Sequence, residues 1–370
     1  MGEAQELQLH VIEAQEPNLA EDEAIITHPP FPTSKKSGYK WWLLVALYIF
    51  FILAGQSVAT LLGRLYYNKG GNSKWIQTIV VTAGFPFLLP LLIYFSHKPS
   101  IPNQTNTANN GSPSIITLVL LYSCFGIFSA GDNLMYAYGL LYLPVSTYSL
   151  VCATQLAFNA LFSYFFNSLK LTPALFNSVV VLTISASLLA LHSESGGSTG
   201  ITKAQYVIGF LCTLGASALF SLLLSLTQFS FEKILKKETF SMILEMFIYP
   251  AIVATCVCVV GIFASGEWKS LKGEMEQIGG VSYVMIIAWT AVAWTVSSVG
   301  ALGLIFEVSS LFSNVISTMA LPIVPIFGVI FFHDKMDGVK VVALILAVWG
   351  FISYMYQNYL DYLKPKTLAS

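Results

Sequence analysis

Ten apolar stretches separated by polar breaks run through the chain, at 41–62, 75–95, 115–138, 144–166, 173–191, 206–230, 241–265, 282–302, 309–331 and 339–360. Each is close to the ~20 residues that cross a bilayer's hydrocarbon core. Only helices satisfy their backbone groups segment by segment in lipid. The pattern therefore predicts an all-α polytopic membrane protein with ten transmembrane helices. Connections after the third, fourth, eighth and ninth spans are short, which makes neighbouring hairpins. The breaks at 96–114, 192–205 and 266–281 are rich in Gly, Ser, Asn or charge and read as loops.

The pattern repeats. Gly139-Leu140-Leu141-Tyr142 is followed by Ser146-Thr147-Tyr148-Ser149, and 164 residues later Gly303-Leu304-Ile305-Phe306 is followed by Ser310-Leu311-Phe312-Ser313. Phe85-Pro86 and Tyr249-Pro250 share that offset. It maps span two on seven, three on eight and four on nine. Five spans is an odd number, so the halves must be inverted relative to each other, as in carriers that bind between their repeats. The expected organisation is an acidic N-terminal tail (1–40), a first five-helix repeat (41–191), a second (206–360) and a C-terminal tail (361–370).

Composition supports a bilayer environment. The 370 residues are 55% hydrophobic and 10% charged, against about 25% charged in soluble domains. The net charge of −1 argues against a nucleic-acid partner. Membrane lipid is the expected surrounding. All five cysteines fall inside apolar spans and read as packing residues. The five histidines form no box, so neither a metal nor a cofactor is expected. Residues 1–34 hold seven acidic residues, no Lys or Arg and little apolar sequence, and read as a disordered tail. An even number of spans places both termini on one side. Lys35, Lys36 and Lys40 beside the first span favour the cytoplasm. The only arginine, Arg64, then falls in an outer loop.

Polar groups inside the spans carry the candidate chemistry. Asp132 and Glu245 lie within spans and Glu307 in the turn between spans eight and nine. A carboxylate at mid-membrane costs at least ~2.5–3.5 kcal/mol, and no Lys or Arg is expected at that depth. A carboxyl that loads and unloads a proton is one reading, with Asp132 first; a structural hydrogen bond is the other. For Glu245 the second reading is the headgroup region, and for Glu307 a cap on span nine. Tyr148, Cys152, Gln155 and Asn159 fall on one helical stripe of span four, with Ser310, Asn314 and Ser317 at the mirrored place in span nine. Gln56 and Thr60 form a similar pair in span one. Amides supply donor and acceptor together, which suits a neutral heterocycle; helix–helix hydrogen bonding is the competing role. Asn133 and Tyr136 adjoin Asp132. Trp289, Trp294, Tyr136 and Tyr148 are candidate stacking surfaces. Trp41, Trp42 and Trp75 sit at span ends and read as interface anchors. Fixed anions such as sugar phosphates are disfavoured as ligands, and no Walker lysine motif points to ATP.

Four stretches resemble the plant purine permease family, a branch of the drug/metabolite transporter superfamily. They are GQSVATLLGRLYYNKGGNSKW (Gly55–Trp75) continued by TAGFPFLLP to Pro90, GDNLMYAYGLLYLPVSTYSLVCATQLAFNALFSYF (Gly131–Phe165), GLIFEVSSLFSN (Gly303–Asn314) and FFHDKM before the last span. The resemblance covers about 40–360. It implies proton-coupled symport of adenine, cytokinins and related bases at the plasma membrane or an endomembrane. It also implies alternating access around a cavity lined by spans one, three, four, six, eight and nine. An alkaloid or vitamin B6 carrier on the same scaffold is the alternative, and an intramembrane enzyme a distant one, since no nucleophile–base set is visible.

Overall fold

The computed structural model describes residues 39–96, 114–166, 173–191, 202–235, 240–308 and 310–367. The acidic tail lies outside them. Among the described residues the secondary structure is helical throughout, with no strand. Fourteen α-helices are labelled here: α1 (Tyr39–Asn68), α2 (Lys74–Thr82), α3 (Leu89–Ser96), α4 (Ile115–Tyr142), α5 (Val145–Cys152), α6 (Gln155–Phe166), α7 (Pro173–Leu191), α8 (Lys203–Phe229), α9 (Phe240–Ser265), α10 (Leu271–Ile278), α11 (Gly280–Glu307), α12 (Ser310–Met319), α13 (Ile323–Phe332) and α14 (Gly338–Thr367). Seven helical stretches are long and apolar enough to cross a membrane: 39–68, 74–94, 115–142, 145–166, 203–227, 241–265 and 280–305. The predicted spans at 173–191, 309–331 and 339–360 are helical and carry shorter apolar stretches.

Three predicted spans are not continuous. The second breaks at Gly84–Leu88, where the 3₁₀ turn Phe85–Phe87 contains Pro86; proline has no N–H to donate and its ring crowds the preceding turn. The ninth breaks between Met319 and Ile323, with Pro322 just before α13. The fourth breaks at Ala153–Thr154 without proline. There the Thr154 hydroxyl donates to the Val151 carbonyl at 2.7 Å, a local bond that competes with the helix ladder. Pro250, by contrast, sits inside a continuous α9. The predicted 266–281 loop also holds a short helix, α10.

Arg64 is a correction of a different kind. α1 continues six residues past its predicted end, so Arg64 is part of the helix and buried rather than in an outer loop. Its Nη1 donates to the carbonyls of Leu140 and Leu143 at 2.8 Å each, and of Leu141 at 3.3 Å. These are the unpaired carbonyls at the α4 C-terminus. A cation at that end also opposes the helix dipole favourably.

Packing is closest between α1 and α11. A Cβ at Gly55 would stand 2.7 Å from the Ala293 carbonyl oxygen and 2.8 Å from the Ser297 nitrogen. Small residues of this kind let membrane helices approach backbone to backbone. α4 packs on α8 and α9, α7 on α14, α5 on α13, and α2 on α4, α9 and α11. Ser185 Oγ donates to the Ala343 carbonyl at 2.9 Å, tying α7 to α14.

Candidate functional site

A cavity of about 450 Å³ lies between these helices. Gln56, Asp132, Asn133, Tyr136, Tyr148, Gln155, Asn159 and Trp294, all expected from the sequence, line it. The span-four stripe thus faces one space even though the helix breaks between Cys152 and Gln155. Ser221 Oγ of α8 donates to the Gln155 carbonyl at 2.7 Å and holds that break in place. Thr60 joins Gln56 in the wall, its hydroxyl bonded to the Gln56 carbonyl at 2.9 Å.

Asp132 is the one charged residue among the described lining residues. It is 3% exposed, and its Oδ1 has no hydrogen-bond partner. Asn133 is less free, because its Nδ2 donates to the Ser129 carbonyl at 2.9 Å. Tyr136 and Tyr148 meet edge to face, ring centroids 6.1 Å apart, and form an aromatic corner beside Asp132. Gln155 and Asn159 are 5% and 4% exposed, and their side-chain amides make no hydrogen bond among the described residues. Both residues line the cavity, so their donors and acceptors belong to its wall.

Four other expected residues are placed elsewhere or lie beyond description. Trp289 is on the outer face of α11, 55% exposed. Five residues at about 100° each separate it from Trp294, which puts the two rings on different sides of the helix. Glu245 is half-buried near the start of α9, bonded to Ser241 and outside the wall. Glu307 ends α11 and accepts a 3.0 Å hydrogen bond from Trp41 Nε1. Trp41 therefore has a specific partner beyond its expected role as an interface anchor. Asn314 is on α12, with its side chain outside the described residues, while Ser313 and Ser317 of the same helix line the cavity.

The lining is wider than expected. Gln77, Val81 and Thr82 of α2 and Met246, Phe247, Pro250 and Ala251 of α9 belong to it, so spans two and seven join the six expected. The reason is the packing of α2 between α4, α9 and α11. Gln77 was visible in the sequence by the rule that selected Gln56, an amide within an apolar span.

The two ends of the bundle differ. At the α1 C-terminal end, Arg64 binds the end of α4, and Asp334 Oδ2 accepts from the Ser146 amide at 3.0 Å. Tyr66 donates to Glu274 of α10, and Lys74 pairs with Glu267 at 3.0 Å. The cavity instead extends along the opposite halves of α8 and α11, to Thr227 and Ile305. Among the described residues no cluster of His, Cys, Asp and Glu is arranged to hold a metal.

The family model described as "Purine nucleobase transmembrane transport" matches residues 43–364. The chain belongs to the purine permease family. It is 53% identical over 356 residues to "Probable purine permease 11" of Arabidopsis thaliana, covering 95% of this chain and 92% of that protein. It is likewise 53% identical over 362 residues to "Purine permease 21" of Arabidopsis thaliana, covering 96% and 92%. As a purine permease family member the chain is a multi-pass membrane transporter and not an enzyme.

Proposed function

We propose that this chain carries purine nucleobases and their derivatives, cytokinins among them, in symport with protons. Access would alternate around the central cavity. The observation that carries the reading is the wall itself: buried amides of Gln155 and Asn159 and the unpaired carboxyl of Asp132, with no Lys or Arg among the described lining residues. A neutral or protonated heterocycle satisfies such a wall, whereas a fixed anion would face Asp132 uncompensated. The volume lies within the usual range of small-molecule sites, ~300–1,000 Å³.

Two further features support the reading. Several helix pairings are consistent with exchange of the two halves: α1–α11 corresponds to α8–α4, and α4–α9 to α11–α2, while α7–α14 maps on itself. That is the pattern expected of two inverted five-helix repeats. The breaks in spans four and nine fall within about one turn of corresponding places, and discontinuous helices mark binding sites in such carriers. In this reading Asp132 holds the coupling proton, with Glu307 and Glu245 as the other carboxyls to compare. Gln56, Asn133, Gln155, Asn159 and Asn314 bind the base edge. Tyr136, Tyr148 and Trp294 offer ring faces. Both termini are cytoplasmic and the plasma membrane is the site of action.

The test is uptake of radiolabelled adenine into transport-deficient cells expressing the chain. Saturable uptake that collapses with a protonophore is expected. No uptake of adenine or of a cytokinin by correctly inserted protein would overturn the substrate assignment. Uptake indifferent to the protonophore and to external pH would overturn the coupling.

A further inference from the structure

Gln77 is the one α2 residue of the cavity wall whose polar side-chain atoms are unengaged among the described residues. Thr82, its neighbour in the wall, donates to the Thr78 and Ile79 carbonyls and accepts from Thr255 at 3.1 Å. Gln77 is 6% exposed. Its helix is firmly held. Ser73 caps α2 by accepting from the Ile76 amide at 3.1 Å and donates to Glu267 at 2.7 Å, and Lys74 pairs with the same carboxylate.

The amide occupies a slot that depends on a missing side chain. A Cβ built at Gly63 of α1 would stand 2.4 Å from Gln77 Nε2 and 2.9 Å from Leu140 Cδ2. Alanine at 63 cannot coexist with the amide in this position. Gly63 therefore acts as a positioning residue for Gln77.

We propose that Gln77, seated by Gly63, is a further substrate contact that selects 6-aminopurines over 6-oxopurines. This rests on the purine reading above and extends it to specificity. A carboxamide presents one acceptor and one donor side by side. The exocyclic amine of adenine and N7 present the complement, the pairing through which Gln reads adenine in nucleic acids. On that edge a 6-oxopurine presents two acceptors, O6 and N7, leaving the carboxamide oxygen without a donor, whereas on the other edge its N1–H would supply one to a flipped amide. In a buried wall that mismatch is costly.

The experiment measures uptake of adenine in protein-matched membranes, with hypoxanthine, 1-deazaadenine and 7-deazaadenine as competitors. Gln77→Ala is expected to weaken adenine by about 5- to 100-fold and hypoxanthine far less. The preference for adenine over 7-deazaadenine should collapse to near unity, whereas collapse at 1-deazaadenine instead would place the contact on the N1 edge and overturn the selectivity. Gly63→Ala should give the same pattern, and the Gly63→Ala/Gln77→Ala double variant no more than either alone. Gln77→Glu keeps the size and loses the donor, so it should reproduce the loss without a cavity. If wild type transports adenine and all three single variants keep its competitor ratios, the inference is wrong. If wild type does not take adenine at all, the failure belongs to the purine reading instead.

Discussion

Asp132 concentrates the residue-scale question. It is buried, its Oδ1 lacks a partner, and the aromatic corner of Tyr136 and Tyr148 stands beside it. A carboxyl in that setting is stable when neutral or when its charge meets a protonated ligand. Asp132→Asn keeps the shape and removes the titration. The expected result is loss of pH-driven accumulation with counterflow retained, measured at acidic and neutral external pH in protein-matched membranes. Glu245→Gln and Glu307→Gln should accumulate substrate, since neither carboxyl lines the cavity. Full accumulation by Asp132→Asn would shift the role to Glu307. Gln155 tests binding separately. Gln155→Ala should weaken substrate by roughly 1–3 kcal/mol through an unpaired base edge, at near-normal surface levels. Unchanged affinity would make Gln155 a packing residue beside Ser221.

At the scale of elements, close approach and interruption decide the architecture. The α1–α11 contact relies on Gly55, whose Cβ would collide with backbone atoms of α11 that cannot rotate away. Gly55→Ala should destabilise the protein by about 1–3 kcal/mol, the usual cost of overpacking. The readout is the midpoint of thermal aggregation in detergent, followed by size exclusion. Gly131→Ala is the comparison, because nothing lies within 4 Å of a Cβ there. Its stability should be equal or slightly higher, as alanine is the better helix former. Equal midpoints for the two variants would mean that α1 and α11 part without penalty.

For the whole molecule, alternating access as proposed above would make the end joined by Arg64, Asp334, Glu274 and Glu267 the closed one and the end toward which the cavity extends the open one. With a cytoplasmic N-terminus, the α1 C-terminal end faces outward, and the cavity extends inward. The same orientation puts the sequons at Asn103 and Asn110, which lie outside the described residues, in the cytoplasm. Neither should be glycosylated. A glycosidase-sensitive mass shift abolished by Asn103→Gln or Asn110→Gln would reverse the orientation.

Hydropathy alone determined that the protein is helical and membrane-spanning, because lipid leaves a backbone few alternatives. Most of the cavity wall was also legible, since an amide or carboxyl such as Gln56, Asp132, Gln155 or Asn159 stands out in apolar sequence. Proline marked the breaks at Pro86 and Pro322 only in part, as Pro250 is tolerated within α9. Nothing local announced the Ala153–Thr154 break. Three decisions belonged to the tertiary structure. Arg64 is buried because α4 ends beside it with open carbonyls, a partner 76 residues away. Trp294 faces the cavity and Trp289 does not, because the neighbours of α11 choose which side of that helix is inside. Gln77 joins the wall because α1 carries no side chain at Gly63 to exclude it. Each depends on what a distant segment brings into contact, and that information is absent from periodicity along one helix.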